Sequence, residues 1–221
     1  MGEPTVDLAP EGSTIGHAES LLQLLDWKRR VFELYAAARA LPPAQAWERW
    51  RSARDELFRG HPQSPLTSSA RERFGGLDYF PYDPGLRVAA EVVDLPVEPR
   101  RIGTSGEEPV LFERFGEARF ALGGEDRTLE VFWLTGYGGG VFLPFRDATS
   151  GAETYGGGRY LLDTVKGSDL GLDGDRLVLD FNFAYNPSCC YDPRWVCPLS
   201  PPANRLPLAI RAGERRFGPS G

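Results

Sequence analysis

Between Phe145 and Tyr160 the chain crowds Arg146, Asp147, Glu153 and Arg159 beside Thr149, Thr154 and Tyr155, in one connection between two apolar stretches. A guanidinium can fork onto a carboxylate or phosphate through two parallel hydrogen bonds, and a carboxylate becomes a general base when burial raises its pKa. Asp147, Glu153 and Tyr155 are therefore the catalytic candidates, and Arg146, Thr149 and Arg159 the groups expected to bind a ligand. The same residues can instead satisfy one another in an ionic network that fastens a long loop, and residue type and spacing leave both readings open.

A second polar group follows in Leu179-Asp180-Phe181-Asn182-Phe183. Strand alternation puts Asp180 and Asn182 on one face and the three apolar residues on the other. That polar face, continued by Tyr185 and Asn186, is expected to complete the ligand pocket. Asp180 is the more structural of these by its place within a strand, and Asn186 before Pro187 can cap a turn.

Metal and thiol chemistry are less well supported. A structural zinc site wants four Cys or His ligands at close spacings, whereas Cys189 and Cys197 stand apart and only His17 and His61 remain to help them. No metal site is assigned, although Asp147, Glu153 or Asp180 could serve as oxygen ligands to calcium or magnesium, and the cofactor is left unknown. Cys189 lacks a histidine nearby in sequence, so the cysteines are expected to be reduced, inert thiols, although Cys189 and Cys197 flank a loop across which they can pair. Gly156-Gly157-Gly158 is followed by a strand-like segment and not by a lysine and a helix, so it is no nucleotide-binding loop.

The elements that must hold these groups come in two kinds. From Ala18 to Ala40, Leu21, Leu24, Leu25, Val31, Phe32 and Tyr35 recur at helical intervals with no Gly or Pro. Pro42-Pro43 ends that helix and opens a second, along whose side lie Trp47, Trp50, Arg54, Leu57 and Phe58, with Gly60 as its stop. Beyond the rigid connector His61-Pro62-Gln63-Ser64-Pro65 the period becomes alternating. Strands are expected over 86–93, 109–115, 118–122, 128–134, 141–145, 160–164, 177–183 and 206–212.

The expected fold class is thus α+β and mainly β: an antiparallel β-sandwich or barrel preceded by two N-terminal helices. The expected organisation is a flexible N-terminus over 1–17, a helical arm over 18–75 packed on the core, and a β domain over 76–221, forming one structural unit.

Several segments together resemble a known family. FRGHPQSPL, GLDYFPYDPGLRV, FLPFRDATSGAETYGGGRYL, LDFNFAYNPSC and WVCPLSPPANRLPLAIRAGE are similar to an uncharacterised family of bacterial and archaeal proteins of about two hundred residues, classed as a domain of unknown function. The resemblance covers most of the chain and implies a shared site in these segments, but it brings no activity, cofactor or catalytic residue. Cys190 stands where that pattern has Ala.

Composition narrows the partners. The net charge is −6, and from Gly139 onward nine basic residues balance nine acidic ones, so no basic field marks a nucleic-acid surface. The acidic start MGEPTVDLAPEG lacks the basic and apolar regions of a signal peptide, and no apolar run approaches the ~18 residues of a membrane helix. A cytoplasmic protein is expected, with a small-molecule ligand and neither nucleic acid nor membrane as partner. The leading functional expectation is a small-molecule-binding β-domain, with enzymatic activity left open, that has a polar pocket for a compact anionic ligand. The alternative is a non-catalytic structural or protein-interaction domain that uses the helical arm.

Overall fold

The computed structural model describes residues 16–218. Three helices come first: α1 (His17–Arg39), α2 (Pro43–Gly60) and the short α3 (Ser68–Glu72). Seven strands follow: β1 (Arg87–Ile102), β2 (Val110–Leu122), β3 (Glu125–Leu134), β4 (Gly140–Phe145), β5 (Arg159–Asp163), β6 (Leu172–Asp173) and β7 (Arg176–Asp180). They form one sheet in the order β5-β4-β3-β2-β1-β7-β6, antiparallel throughout and curled into a half-barrel. The expected α+β class with a leading helical pair is the observed one, and the single curled sheet is closer to a barrel than to a sandwich. Of the expected flexible N-terminus, residues 1–15 lie outside the described residues, while His17 already opens α1.

The helices differ in how well their buried faces were anticipated. On α2 the anticipated side is the buried one: Trp47, Trp50, Leu57 and Phe58 are all buried, Trp50 completely, against Tyr35, Tyr79 and Phe183. On α1, Ser20, Leu34, Tyr35 and Ala38 are buried, whereas Leu21, Leu25 and Phe32 of the expected stripe are exposed. A stripe through apolar residues alone does not define the packed face. The packed face includes Ser20, whose hydroxyl and carbonyl both accept from the Gln63 amide.

Three strand expectations need correction, one of them 177–183, where β7 stops at Asp180. The segments 109–115 and 118–122 are one strand, β2, with a register irregularity against β3 between Arg114 and Gly116. Gly116 marks a close approach, not a turn: a Cβ there would lie 2.8 Å from the Val93 carbonyl oxygen of β1. The segment 206–212 is not a strand. Pro207 has no N–H to give a ladder, and Leu206 and Ile210 instead pack against the sheet's core beside Phe145 and Phe181.

This C-terminal segment is held by irregular bonds. Leu206 N–H donates to Arg146 O (2.8 Å), Ala148 N–H to Leu208 O (3.0 Å) and Glu214 N–H to Ala184 O (2.8 Å). It passes so close to the turn after β7 that only glycine fits at 213: its φ is 72°, and a Cβ would lie 2.6 Å from Ala184 O. The Asn204 side chain adds a three-way clamp, accepting from Glu130 N–H and donating to Glu130 O and Pro144 O.

Candidate functional site

The residues expected to share one pocket are distributed over four separate places. The first is sealed. Arg159, at the start of β5, is 1% exposed and donates to the carbonyls of Ala212, Glu214 (3.3 Å) and Ile210 (3.0 Å), with Phe145 under its guanidinium. Its counter-charge is Asp147, 3.5 Å away, whose carboxylate accepts from Ile210 N–H (2.6 Å), the Thr149 hydroxyl (2.8 Å) and the Ser150 hydroxyl (3.1 Å). Thr149 and Thr154 share a further hydrogen bond of 2.9 Å. Burial pulls the Arg159 pKa down to about 10, so the group stays charged at neutral pH. Both terminal nitrogens of the Arg159 guanidinium and both carboxylate oxygens of Asp147 have partners within the chain, and the ion pair faces backbone carbonyls and not open space.

A second cluster was absent from the sequence expectations. Glu214 is 1% exposed; it accepts from Arg54 (2.8 Å), from Asn186 N–H (3.1 Å) and from the Tyr191 hydroxyl, while Arg54 also donates to the Tyr79 hydroxyl (3.0 Å). Burial pushes the Glu214 carboxyl above its ordinary range, against the opposing pull of Arg54. Asn186 donates its amide to Arg215 O (2.7 Å), and Tyr185 lies under the Arg54 guanidinium while pairing through its backbone with Tyr160. These two therefore serve the joint between α2 and the C-terminal segment. The only sequence signal for this joint is a carboxylate, Glu214, closing the apolar stretch LPLAIRAG.

On the surface, Glu153 accepts two hydrogen bonds from Arg211 Nε (3.0 and 3.1 Å), and that guanidinium holds its carboxyl below the usual range. A carboxylate so paired is a poor base at neutral pH. Arg146 is half-buried, bridges through its backbone to Arg205, and leaves its Nε without a partner. Tyr155 places its hydroxyl 3.4 Å from the Cys189 sulfur. Asp147, Glu153 and Tyr155 thus each have different partners and do not converge on one another.

The fourth place is a cavity of about 320 Å³ where the α1–α2 turn meets β1 and β7. Apolar side chains, among them Pro43, Ala46, Val178 and Phe183, line it together with Arg39, Arg87 and Asp180. β7 ends at Asp180, and Phe181–Phe183 form a 3₁₀ turn, so the expected alternation of Asp180 and Asn182 across a strand does not occur. Asn182 is fully buried: its amide donates to Asp180 Oδ1 (2.8 Å) and Asp83 O (2.8 Å), and its own oxygen accepts from Asp83 N–H (2.9 Å). Asp180 Oδ1 is therefore fixed, by Asn182 N–H (3.0 Å) as well. Oδ2 has only Arg87 Nε, at 3.8 Å, beyond hydrogen-bond distance. Burial raises the Asp180 pKa. Arg87 is the antiparallel partner of Asp180 across β1 and β7, a relation that no linear spacing reveals.

A larger groove, of about 770 Å³, lies between α1 and α2; Asp26 there accepts from Arg30 (2.7 Å) and lies 3.2 Å from His61, and Glu33, Arg49 and Glu56 line it as well. Among the described residues no cluster of three or more His, Cys, Asp or Glu is placed to hold a metal ion, and no helix is long and apolar enough to cross a membrane.

No curated protein matches the chain. Among solved structures it is similar to the solution NMR structure of the uncharacterized protein from gene locus rrnAC0354 of Haloarcula marismortui, at 40% identity and a TM-score of 0.57, over 75% of this chain and 89% of that one. Residues 72–215 match the family described as "Protein of unknown function (DUF1684)", and they include the whole half-barrel and both buried ionic clusters except Arg54. The chain belongs to that family.

Proposed function

We propose that the protein binds a compact anionic small molecule in the cavity between the α1–α2 turn and the β1–β7 strand pair. The observation that carries this reading is one cavity of about 320 Å³ lined by the buried carboxylate of Asp180, whose Oδ2 has only Arg87 near it, and by a second guanidinium, Arg39, with Asp173 also on its wall. A buried charged oxygen with no hydrogen-bond donor in reach is costly, and a ligand that supplies the donor relieves that cost. Arg87 is about one-third exposed and can turn toward an anion, while Arg39, slightly more exposed, would exchange its contacts with Asp169 for one. The fitting ligand carries a carboxylate or phosphate for the two arginines and a hydroxyl or ammonium group for Asp180.

Calorimetric titration with a panel of small hydroxy-acids, amino acids and phosphate monoesters tests this. At least one class should bind the parent, and Arg87→Ala should weaken it by about tenfold or more, as expected for a lost charge-assisted contact. Binding unchanged in both Arg87→Ala and Asp180→Asn would defeat the assignment.

One observation favours the interaction reading: Leu21, Leu22 and Leu25 are exposed on neighbouring turns of α1. If that face docks a partner, Leu22→Glu should abolish capture of the partner while leaving ligand titration unaltered.

A further inference from the structure

We propose that Cys189 and Cys197 form a reversible dithiol–disulfide couple, with Cys189 as the thiol that reacts with hydroperoxides and Cys197 as the thiol that resolves it. The couple lies apart from the Asp180 cavity and does not depend on the ligand assigned there.

The geometry begins with two segments that meet side by side. Cys189 sits in the 3₁₀ turn Ser188–Cys190, and Cys197 on the extended stretch that bonds to the residues following β1. Ser105 N–H donates to Cys197 O (3.0 Å), and Cys197 N–H donates to the Ser105 hydroxyl (3.1 Å). Cys189 N–H in turn donates to the Cys197 sulfur (3.4 Å), so the second thiol is held over the backbone of the first. Tyr155 adds its hydroxyl at 3.4 Å from the Cys189 sulfur. Only two sulfurs brought to one point can exchange a bond without unfolding the loop between them.

The two thiols are not equivalent. Cys197 is 4% exposed, whereas Cys189 is partly open to solvent. Hydrogen bonds from Cys197, Tyr155 and Ser105 pull the Cys189 thiol below its ordinary value of 9.0, despite burial working the other way. The titratable groups acting on the pair are Tyr155, Tyr160, Cys190 and Lys166. Cys190, adjacent in sequence, takes no part: it packs beside Tyr191 and Phe217, and burial pushes its thiol up to about 12. A thiolate that is both stabilised and accessible, next to a protected thiol, is the arrangement peroxide-responsive pairs require.

The chemistry balances as follows. Cys189 gives its proton to solvent and the thiolate attacks the terminal oxygen of a hydroperoxide. An S–O bond forms, the O–O bond breaks, and the departing alkoxide takes up a proton. Cys197 then attacks the sulfenic sulfur; the S–S bond forms, and the hydroxyl leaves as water with the Cys197 proton. Two thiols are oxidised and one hydroperoxide is reduced to an alcohol and water. A small dithiol reverses the change.

Hydrogen peroxide on the full chain is the direct probe, followed by intact mass and peptide mapping. The parent should lose two hydrogens and show a Cys189–Cys197 linkage that dithiothreitol reverses; Cys190→Ser should do the same. Cys197→Ser should stop at a sulfenic acid that dimedone traps on Cys189. Cys189→Ser should consume peroxide about tenfold more slowly or less, and Tyr155→Phe, which keeps the ring packing, should slow the parent reaction several-fold. A parent that keeps both thiols under peroxide, a Cys189→Ser protein oxidised at the parental rate, or a linkage through Cys190 would each overturn the proposal.

Discussion

Two arginine–aspartate pairs sit at the ends of sheet strands, and their fates differ. Arg159 and Asp147 are both almost fully buried, with both terminal guanidinium nitrogens and both carboxylate oxygens met by backbone or hydroxyl groups. Arg87 and Asp180 form a looser pair at 3.8 Å, with one carboxylate oxygen unassigned and a cavity beside it. The residue types are identical and the depth of the carboxylates is similar. What separates anchor from candidate site is the count of partners, and that depends on whether an irregular segment or an open cavity faces the pair. The first pair holds residues 206–214 in place; the second leaves chemistry unfinished.

The comparison breaks most directly at Arg159. Arg159→Ala strips hydrogen bonds from three carbonyls and leaves Asp147 buried beside nothing positive, so it should cost about 3–5 kcal/mol, read by urea unfolding. A loss under about 1 kcal/mol would place the two pairs in one class.

Arg54→Ala should be next, at about 3 kcal/mol near neutral pH, because it strands Glu214. Here the sign with pH is informative. Burial already raises Glu214 above its ordinary value of 4.5, and losing Arg54 raises it further. A group with a raised folded-state pKa contributes stability that is lost as pH rises through that value. The variant's deficit should therefore shrink on acidification toward the carboxylate range and grow toward alkaline pH, as followed by melting temperature.

Asp180→Asn should move stability by less than about 1 kcal/mol, since an asparagine oxygen can still accept from Asn182 and a desolvated charge is removed. The parent's raised Asp180 pKa means that acidification above 3.8 favours its folded state, and that part of the pH dependence should vanish in the variant. Arg87→Ala should likewise leave melting nearly unchanged, because the pair is loose and its guanidinium is one-third exposed, while weakening anion binding about tenfold or more. Smallest of all, Glu153→Gln breaks a solvent-exposed pair with Arg211 and should leave the melting temperature close to the parent's.

The sequence made the helices and most strands legible because burial there follows simple periods: Trp47, Trp50 and Phe58 mark α2 without ambiguity. It failed where one backbone crowds another. Gly116 looks like a break between strands, but the neighbouring strand's carbonyl is what requires it. The 206–212 segment has strand-like residues, yet its polar partners are side chains from far away, Asp147 and Arg159, which no local pattern predicts. The site suffered similarly. Arg159, Asp147, Asp180 and Asn182 were all recognised as unusual, but the roles divided according to pairing: Asp180 meets Arg87 only through the β1–β7 register. Arg39 and Arg87 carried no signal of their own, since an isolated arginine in sequence is usually a solvated one.

The Arg54–Glu214 contact joins residues 160 positions apart, and the loop it closes contains the entire half-barrel. Such a contact has kinetic consequences. Bringing its ends together is entropically expensive until the intervening sheet has formed, so this joint belongs to the last steps of folding. Weakening it should then accelerate unfolding far more than it slows refolding. The lifetime of the native state would be set at the meeting of α2 with the C-terminal segment, while the rate of its formation is set in the strands between.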